Sequence, residues 1–457
     1  MKVDGMARVA QSIAYRGEFK AARWALGLPK SQDEIDAIHR QKKRVALARA
    51  SQSKFLAKRV ARIDPRRIDD PHEWGKIPVL TKDELRKLST EEFYRDFCIA
   101  PRGRGGQRRA VEFWRSGGAT GKPLFYPRSA EDMRYMLGVA FRRIWPCIGA
   151  RAGDTVHVSF PMGIHPVGQL APRSAEMEGL ATIWAGAGTT TPSEVQLDLI
   201  LSLRPTIVAA MPSYALHLAN VAEARGIDLA AAGVGKLLVS AEPLTEAKRA
   251  KLARSWGAAV YNSFGMTEGA MTSVERHGLG AMIAWTDLFL LEVIDSGTGK
   301  PVAPGAAGAL VMTPLWSNTI TPFLRWLTGD IVRLAPQRKS RDPFSVFPIL
   351  EHALRTEGFF KIRGVNINHG DLEDFMFQQG AVQDFKGEAV TAADGQDRLR
   401  LLVELRRGTD PADLARALAA AVKLKFEQTC EVEILAAGAL AQEFEKSVKA
   451  PRFVDKR

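Results

Sequence analysis

Cysteine is scarce: Cys98, Cys147 and Cys430 are the three in 457 residues. They lie far apart and leave one unpaired in any scheme. That excludes a disulfide scaffold and a cysteine-rich zinc module, and it favours a reducing compartment. Long hydrophobic runs are missing too. No stretch approaches the roughly 18 apolar residues that a membrane-spanning helix needs. The opening residues (MKVDGMARVAQS) lack the apolar centre of a signal peptide, so a cytoplasmic location and no membrane partner are expected. Aromatics make up 8% of the chain and do not interleave with its basic runs, which leaves nucleic acid a disfavoured partner. With 46% hydrophobic and 25% charged residues, and no repeats, the composition is that of an ordinary globular chain.

Positive charge is what the sequence has in excess. The net charge is +13, and residues 1–110 hold nearly all of it, with 26 basic against 14 acidic side chains. Such a surface suits an anion, a polyphosphate included, and suits equally a solvated helical face. The run Ser31–Arg67 favours the helix. Ser31 with Glu34 three residues on is a helix-start pattern, and apolar residues follow at helical spacing. Arg102–Arg109 reads as a basic loop.

Strand and helix patterns alternate after residue 110. Asp154–Phe160, Thr206–Met211, Lys236–Ala241 and Ala258–Phe264 read as strands, and Ser193–Leu203, Ser213–Arg225 and Leu244–Gly257 as helices. That alternation predicts an α/β fold of layered sheets with helices, whose ligands lie at the carboxyl ends of the strands. Past residue 280 the strands Leu288–Ile294, Gly308–Leu315 and Thr321–Leu334 are separated by Gly/Pro turns. From 355 a third pattern follows, with strands Arg398–Glu404 and Cys430–Leu435 around a helix at Pro411–Phe426. The expected organisation is a basic, largely helical region (1–110), an α/β core (111–280), a β-rich subdomain (281–354) and a small α+β C-terminal domain (355–457).

Trp114–Pro123 (WRSGGATGKP) concentrates three glycines, a Ser, a Thr and a Lys. Glycine lets backbone N–H groups curl around an anion, and hydroxyls and an ammonium add donors to phosphate oxygens. It is neither a Walker loop nor GxGxxG. Alone, such a segment is more often a plain turn. Three distant pieces join it: Phe264–Glu268 (FGMTE), Thr328–Asp330 (TGD) and Lys361–Gly364 (KIRG).

With these pieces in this order, and with Ile77–Arg86 (IPVLTKDELR), Pro212–Leu216 (PSYAL) and Ala241–Thr245 (AEPLT), the chain resembles the adenylate-forming superfamily of acyl-CoA synthetases. Within it, the chain is similar to the phenylacetate-CoA ligase branch, from about Ile77 to the C-terminus. The resemblance implies a large N-terminal domain and a small mobile C-terminal one. It also implies an ATP-dependent reaction in two steps: a carboxylate becomes acyl-AMP with release of pyrophosphate, and coenzyme A then displaces AMP. The alternatives are an adenylating enzyme that loads an acyl carrier protein, and a catalytically degraded nucleotide-binding regulator. Relatives are often homodimers.

The resemblance also implies site residues. Ser116, Gly117, Gly118, Thr120, Gly121 and Lys122 would cover the ATP phosphates, although Gly117 and Ala119 replace two hydroxyl residues of the usual SSGTTGKP. Glu268 would hold Mg2+, and Thr267 would donate to the α-phosphate. Phe264, Gly265 and Met266 with Ala241, Glu242 and Pro243 would bind adenine, with Phe264 stacked on it. Asp330 would accept both ribose hydroxyls, and Arg355 would touch the nucleotide. Lys449 would bridge the carboxylate and the α-phosphate; the tail matches with one residue deleted, and Lys446 is the alternative lysine. Glu357 would be the hinge, and Arg363 and Gly364 would lie by the CoA path. The acyl set is His165, Met162, Ile164, Met211, Tyr214 and Asn262, whose apolar, pliable methionines suit an aryl or arylacetic acid. Tyr214 and Asn262 would read a ring substituent. No zinc site is expected, because GAMTSVERHGLG carries no cysteine. His369 stands where a proline is common, and nothing in the sequence explains it.

Overall fold

In the computed structural model, the described residues are 27–99, 110–115, 124–338, 340–355, 358–392, 395–411, 413–446 and 451–457. The expected loop Arg102–Arg109 lies outside them. The Ser31–Arg67 run forms two helices, α1 (Gln32–Ala50) and α2 (Lys54–Val60). Ser31 Oγ accepts from Glu34 N–H and the Glu34 carboxylate from Lys30 N–H, a cap at the expected start. The run breaks where Ser53, fully buried, caps α2 by accepting from Leu56 N–H. Helix then ends at Val60, ahead of Pro65. Strands β1 (Ala110–Arg115) and β2 (Phe125–Ser129) form an antiparallel pair.

From residue 150 the predicted alternation is present. It runs β3 (Thr155–Val158), α3 (Pro166–Met177), β4 (Ala181–Trp184), α4 (Ser193–Leu203), β5 (Ile207–Ala210), α5 (Pro212–Ala224), β6 (Lys236–Ser240), α6 (Glu246–Trp256) and β7 (Ala259–Met266). The pairs β3–β4, β3–β5, β5–β6 and β6–β7 are all parallel, giving the order β4-β3-β5-β6-β7. β5 is buried at every position, as a strand covered on both faces must be.

β8 (Ala270–Glu275), β9 (Met282–Ala284), β10 (Phe289–Ile294), β11 (Gly308–Pro314), β12 (Trp326–Ala335) and β13 (Ile349–Arg355) follow, in the order β10-β11-β12-β13-β9-β8. The strand expected from Thr321 starts only at Trp326. Pro322 has no N–H to give a ladder, and Arg325 has φ 48°, which turns the chain before the strand begins.

The remainder comprises the hairpin β14 (Phe359–Ile362) and β15 (Val365–Asn368), α7 (His369–Gln378), β16 (Val382–Thr391), β17 (Asp397–Leu405), α8 (Leu414–Phe426), β18 (Cys430–Leu435) and β19 (Phe453–Asp455). Its four-stranded sheet has the order β18-β17-β16-β19, so the last strand sits parallel on β16. The fold is mixed α/β. Two compact units are formed, neither contiguous in sequence: 1–149 with 265–354, and 150–264 with 355–457.

Candidate functional site

The first unit holds Gly265–Glu268 of FGMTE and the TGD segment. β7 ends at Met266, and Thr267 and Glu268 lie in the turn that leads to β8. Glu268 is 5% exposed, yet its carboxylate is only loosely matched. Tyr126 Oη donates to it at 3.0 Å, and Lys82 Nζ stands 3.7 Å away. The backbone of the turn is held far more firmly. Arg128 Nη2 donates to Thr267 O at 2.5 Å and approaches Glu268 O at 3.3 Å, while Asn318 Nδ2 donates to Glu268 O at 2.7 Å. Arg128 is fully buried, over the Trp114 ring and bonded to Thr321 Oγ1. Burial lowers its pKa, and the charges of Asp132 and Glu268 oppose that shift.

Asp330 lies on β12, 3% exposed, with Oδ1 at 3.1 Å from Nε2 of His352 on β13. Its own N–H donates to Thr328 Oγ1 at 3.1 Å, within β12, where Gly329 has φ 86°. Sequence reasoning missed Tyr126, Arg128, Asn318 and His352. Lys82 lay inside a matched segment but had no role there. Arg128 sits in a strand of otherwise buried residues, FYPRS; a charged side chain in such a strand is the one local signal that would have drawn notice.

In the second unit the strand order β4-β3-β5-β6-β7 reverses direction at β3. In an open parallel sheet the crevice at that switch point, at the carboxyl ends of the strands, is where ligands bind. The acyl candidates leave those ends. Met162, Ile164 and His165 follow β3, with His165 as the N-cap of α3. Met211 follows β5 and is buried, and Tyr214 lies one turn into α5. Ala241 follows β6, and Asn262 and Phe264 lie within β7, both half-buried. Ile164 is 44% exposed and Tyr214 is 0% exposed, so these two face different surroundings.

Two segments recognised separately in the sequence turn out to be bonded to each other. Glu242 of AEPLT accepts from Ser213 N–H at 3.0 Å and from Ser213 Oγ at 2.7 Å, in PSYAL. Helix α5 has no cap from its own Met211, so this carboxylate supplies it and faces the positive helix end. Ala241 adopts φ 70° to deliver the next residue there, a left-handed conformation that costs an alanine about 1–2 kcal/mol. Pro243 follows, exposed. Arg363 and Gly364, with φ 50° and 86°, are the two residues of the turn between β14 and β15, the signature of a tight hairpin.

The C-terminal tail is seated by specific contacts. Phe453 stacks on His369 at 4.3 Å with 12° between the rings, which accounts for a flat ring at that position. Arg452 pairs with Asp384 at 2.5 Å and Glu373 at 3.1 Å, and Lys248 of α6 meets Glu373 at 2.6 Å. Burial would raise the pKa of Asp384, but the charges of Arg452 and Lys251 prevail and hold it below the usual carboxylate value. Ser116, Gly117, Gly118, Thr120, Gly121, Lys122, Glu357 and Lys449 lie outside the described residues. Arg355 is the last residue of β13, and Lys446 closes the helix Ala441–Lys446. Among the described residues no cluster of three or more His, Cys, Asp or Glu side chains could hold a metal ion by itself, and no helix is long and apolar enough to cross a membrane.

Comparison with known proteins gives four findings. A family model described as AMP-binding enzyme matches residues 116–314. The chain is 30% identical over 319 residues to a phenylacetate-coenzyme A ligase of Thermus thermophilus, covering 68% of each chain. It is also 30% identical over 337 residues to a phenylacetate-coenzyme A ligase of Pseudomonas putida, covering 73% of this chain and 72% of that one. Among solved structures, a 2-hydroxyisobutyryl-CoA ligase in the postadenylation state superposes with a TM-score of 0.80 at 22% identity, covering 94% of this chain and 91% of that chain.

Proposed function

The chain belongs to the adenylate-forming superfamily, in its phenylacetate-CoA ligase-like branch, and is an ATP-dependent, AMP-forming acid–CoA ligase; from that premise we propose that its acid is an aryl or arylacetic carboxylate. A carboxylate oxygen attacks the α-phosphorus, the bond to the pyrophosphate oxygen breaks, and acyl-AMP remains. The sulfur of coenzyme A then attacks the acyl carbon, and AMP leaves. Two anions must meet in the first step, so the protein's contribution is positioning and charge stabilisation.

The roles proposed for the residues are those the family resemblance implies. Mg2+ would be held by Glu268 together with phosphate oxygens, and when bound it would neutralise charge on the phosphates. The hard, loosely paired carboxylate of Glu268 fits that ion. Arg128 and Asn318 hold the Thr267–Glu268 backbone, so that Thr267 faces the α-phosphate in one position. Asp330 accepts the ribose hydroxyls, oriented by His352. Phe264 stacks on adenine, with Gly265, Met266 and Ala241–Pro243 around it. Lys449 bridges the carboxylate and the α-phosphate, and Ser116–Lys122 cover the outer phosphates. His165 approaches the acyl carboxylate.

One observation carries the acid class. Among the residues that follow β3 and β5 at the switch point are Met162, Ile164 and Met211, apolar and adaptable side chains suited to lining a pocket for a flat hydrophobic acid. The test is a panel of aryl, arylacetic and short aliphatic acids, read by pyrophosphate release with and without free CoA. The expected result is release with aryl or arylacetic acids, and thioester formed from free CoA. Activity confined to small aliphatic acids overturns the acid class. Acyl-AMP that free CoA does not consume points to a carrier-protein acceptor.

A further inference from the structure

Six polar side chains lie buried together beneath the switch point: His157, Ser159, Ser193, Gln196, Tyr214 and His217, none more than 2% exposed. They form one continuous hydrogen-bonded chain. His217 Nε2 and Ser193 Oγ are 3.0 Å apart, and Ser193 Oγ and Tyr214 Oη 2.9 Å. Gln196 is the hub. Its Oε1 accepts from Ser159 Oγ at 2.8 Å and lies 3.1 Å from His157 Nε2. Its Nε2 reaches Gly186 O at 2.8 Å, Thr191 O at 2.9 Å and Tyr214 Oη at 2.8 Å. Burial lowers the pKa of His157, and because an amide oxygen can only accept, its Nε2 is the donor to Gln196 Oε1.

Beyond His157 on β3, the partners of Gln196 come from three strand exits. Ser159 is the first residue after β3, Gly186 and Thr191 lie in the loop after β4, and Tyr214 is in the first turn after β5. The loop after β4 is pressed against the acyl wall. A Cβ on Gly186 would stand 2.9 Å from Met162 Cγ and 2.8 Å from Thr190 Cβ, and Gly186 has φ 77°. Six buried polar groups are costly unless they are satisfied, and once satisfied they specify one arrangement.

We infer that this chain, with Gln196 at its hub, is a positioning network that sets the acyl wall at Met162, and that the Tyr214 hydroxyl serves the network instead of reading a substituent on the substrate. The inference rests on the proposed acyl site and changes one of its members, since the hydroxyl expected to contact the acid is already committed inside the protein. Gln196, Ser159 and Ser193 thereby become residues through which acid recognition is tuned without contact.

The experiment measures ATP–pyrophosphate exchange by the full chain with plain and ring-hydroxylated aryl acids. The wild type is compared with Tyr214→Phe, Gln196→Leu and Gln196→Glu. Gln196→Leu is expected to raise KM for every acid about tenfold, with KM for ATP unchanged, because the buried carbonyls of Gly186 and Thr191 lose their donor. Gln196→Glu, which keeps the acceptor for Ser159, is expected to fall between it and the wild type. Tyr214→Phe is expected to raise KM for plain and hydroxylated acids by the same factor, roughly threefold to tenfold. A loss confined to hydroxylated acids shows that the hydroxyl reads the ring and overturns the inference. Unchanged KM for all acids in Tyr214→Phe and Gln196→Glu overturns it as well, and these two variants decide if Gln196→Leu fails to fold. Absence of exchange in the wild type with every acid would instead remove the proposed function, and this inference with it.

Discussion

Glu268 and Glu373 are two buried carboxylates in opposite electrical settings. Glu373 on α7 meets Lys248 at 2.6 Å and Arg452 at 3.1 Å; Glu373 and Lys248 are buried, and the Arg452 side chain is 10% exposed. Glu268 meets a phenol at 3.0 Å and a lysine at 3.7 Å, and that lysine side chain is itself 32% exposed. Taking a carboxylate out of water costs several kcal/mol unless close partners return it. Around Glu373 the protein supplies the whole return. Around Glu268 it holds the backbone rigidly through Arg128 and Asn318 and leaves the side chain with a loose partner. Internal neutralisation marks a structural carboxylate. A fixed backbone with a loosely paired side chain is what the proposed role of Glu268 toward Mg2+ calls for.

The contrast can be broken in three ways. The largest effect is expected for Glu373→Ala. It strands the buried Lys248 ammonium and should lower unfolding stability by about 3–5 kcal/mol, read from a denaturant midpoint. A loss below about 1 kcal/mol would place Glu373 in the same class as Glu268. For Glu268→Gln the stability should barely move, while pyrophosphate exchange falls about 10²–10³-fold. Intact exchange together with a destabilised fold would invert the comparison.

The third test adds a neutral group beside the same tail. Burial lowers the pKa of His369 from 6.5 to about 4, and among the described residues its Nε2 has no hydrogen-bond partner. The unfolded chain binds the proton first. Stability is therefore full above pH 6.5 and declines as pH falls through the folded value, by on the order of 3 kcal/mol at most. His369→Phe keeps a ring against Phe453 and should flatten that part of the pH–stability curve. An unchanged slope would show that other groups carry it.

These distinctions show how far the chain could be read in one dimension. The helix Ser193–Leu203 and the strand Cys430–Leu435 have the limits their periodicity predicts, because a helical or alternating pattern is written over a few consecutive residues. The cap at Ser31 was legible for the same reason. FGMTE and TGD were recognisable by residue type and order. Tyr214 was recognisable too, but not what its hydroxyl does.

The sequence by itself determined the local elements and the α/β alternation, and it named the groups proposed to handle phosphate, ribose and a carboxylate. Only the tertiary structure decided which of those groups are already spent. Arg128 finds Thr267 across 139 positions, Glu242 caps a helix 29 residues before it, and Gln196 gathers three strand exits. Burial and hydrogen-bond partnership are set by contacts between distant segments, and no local periodicity encodes such a contact.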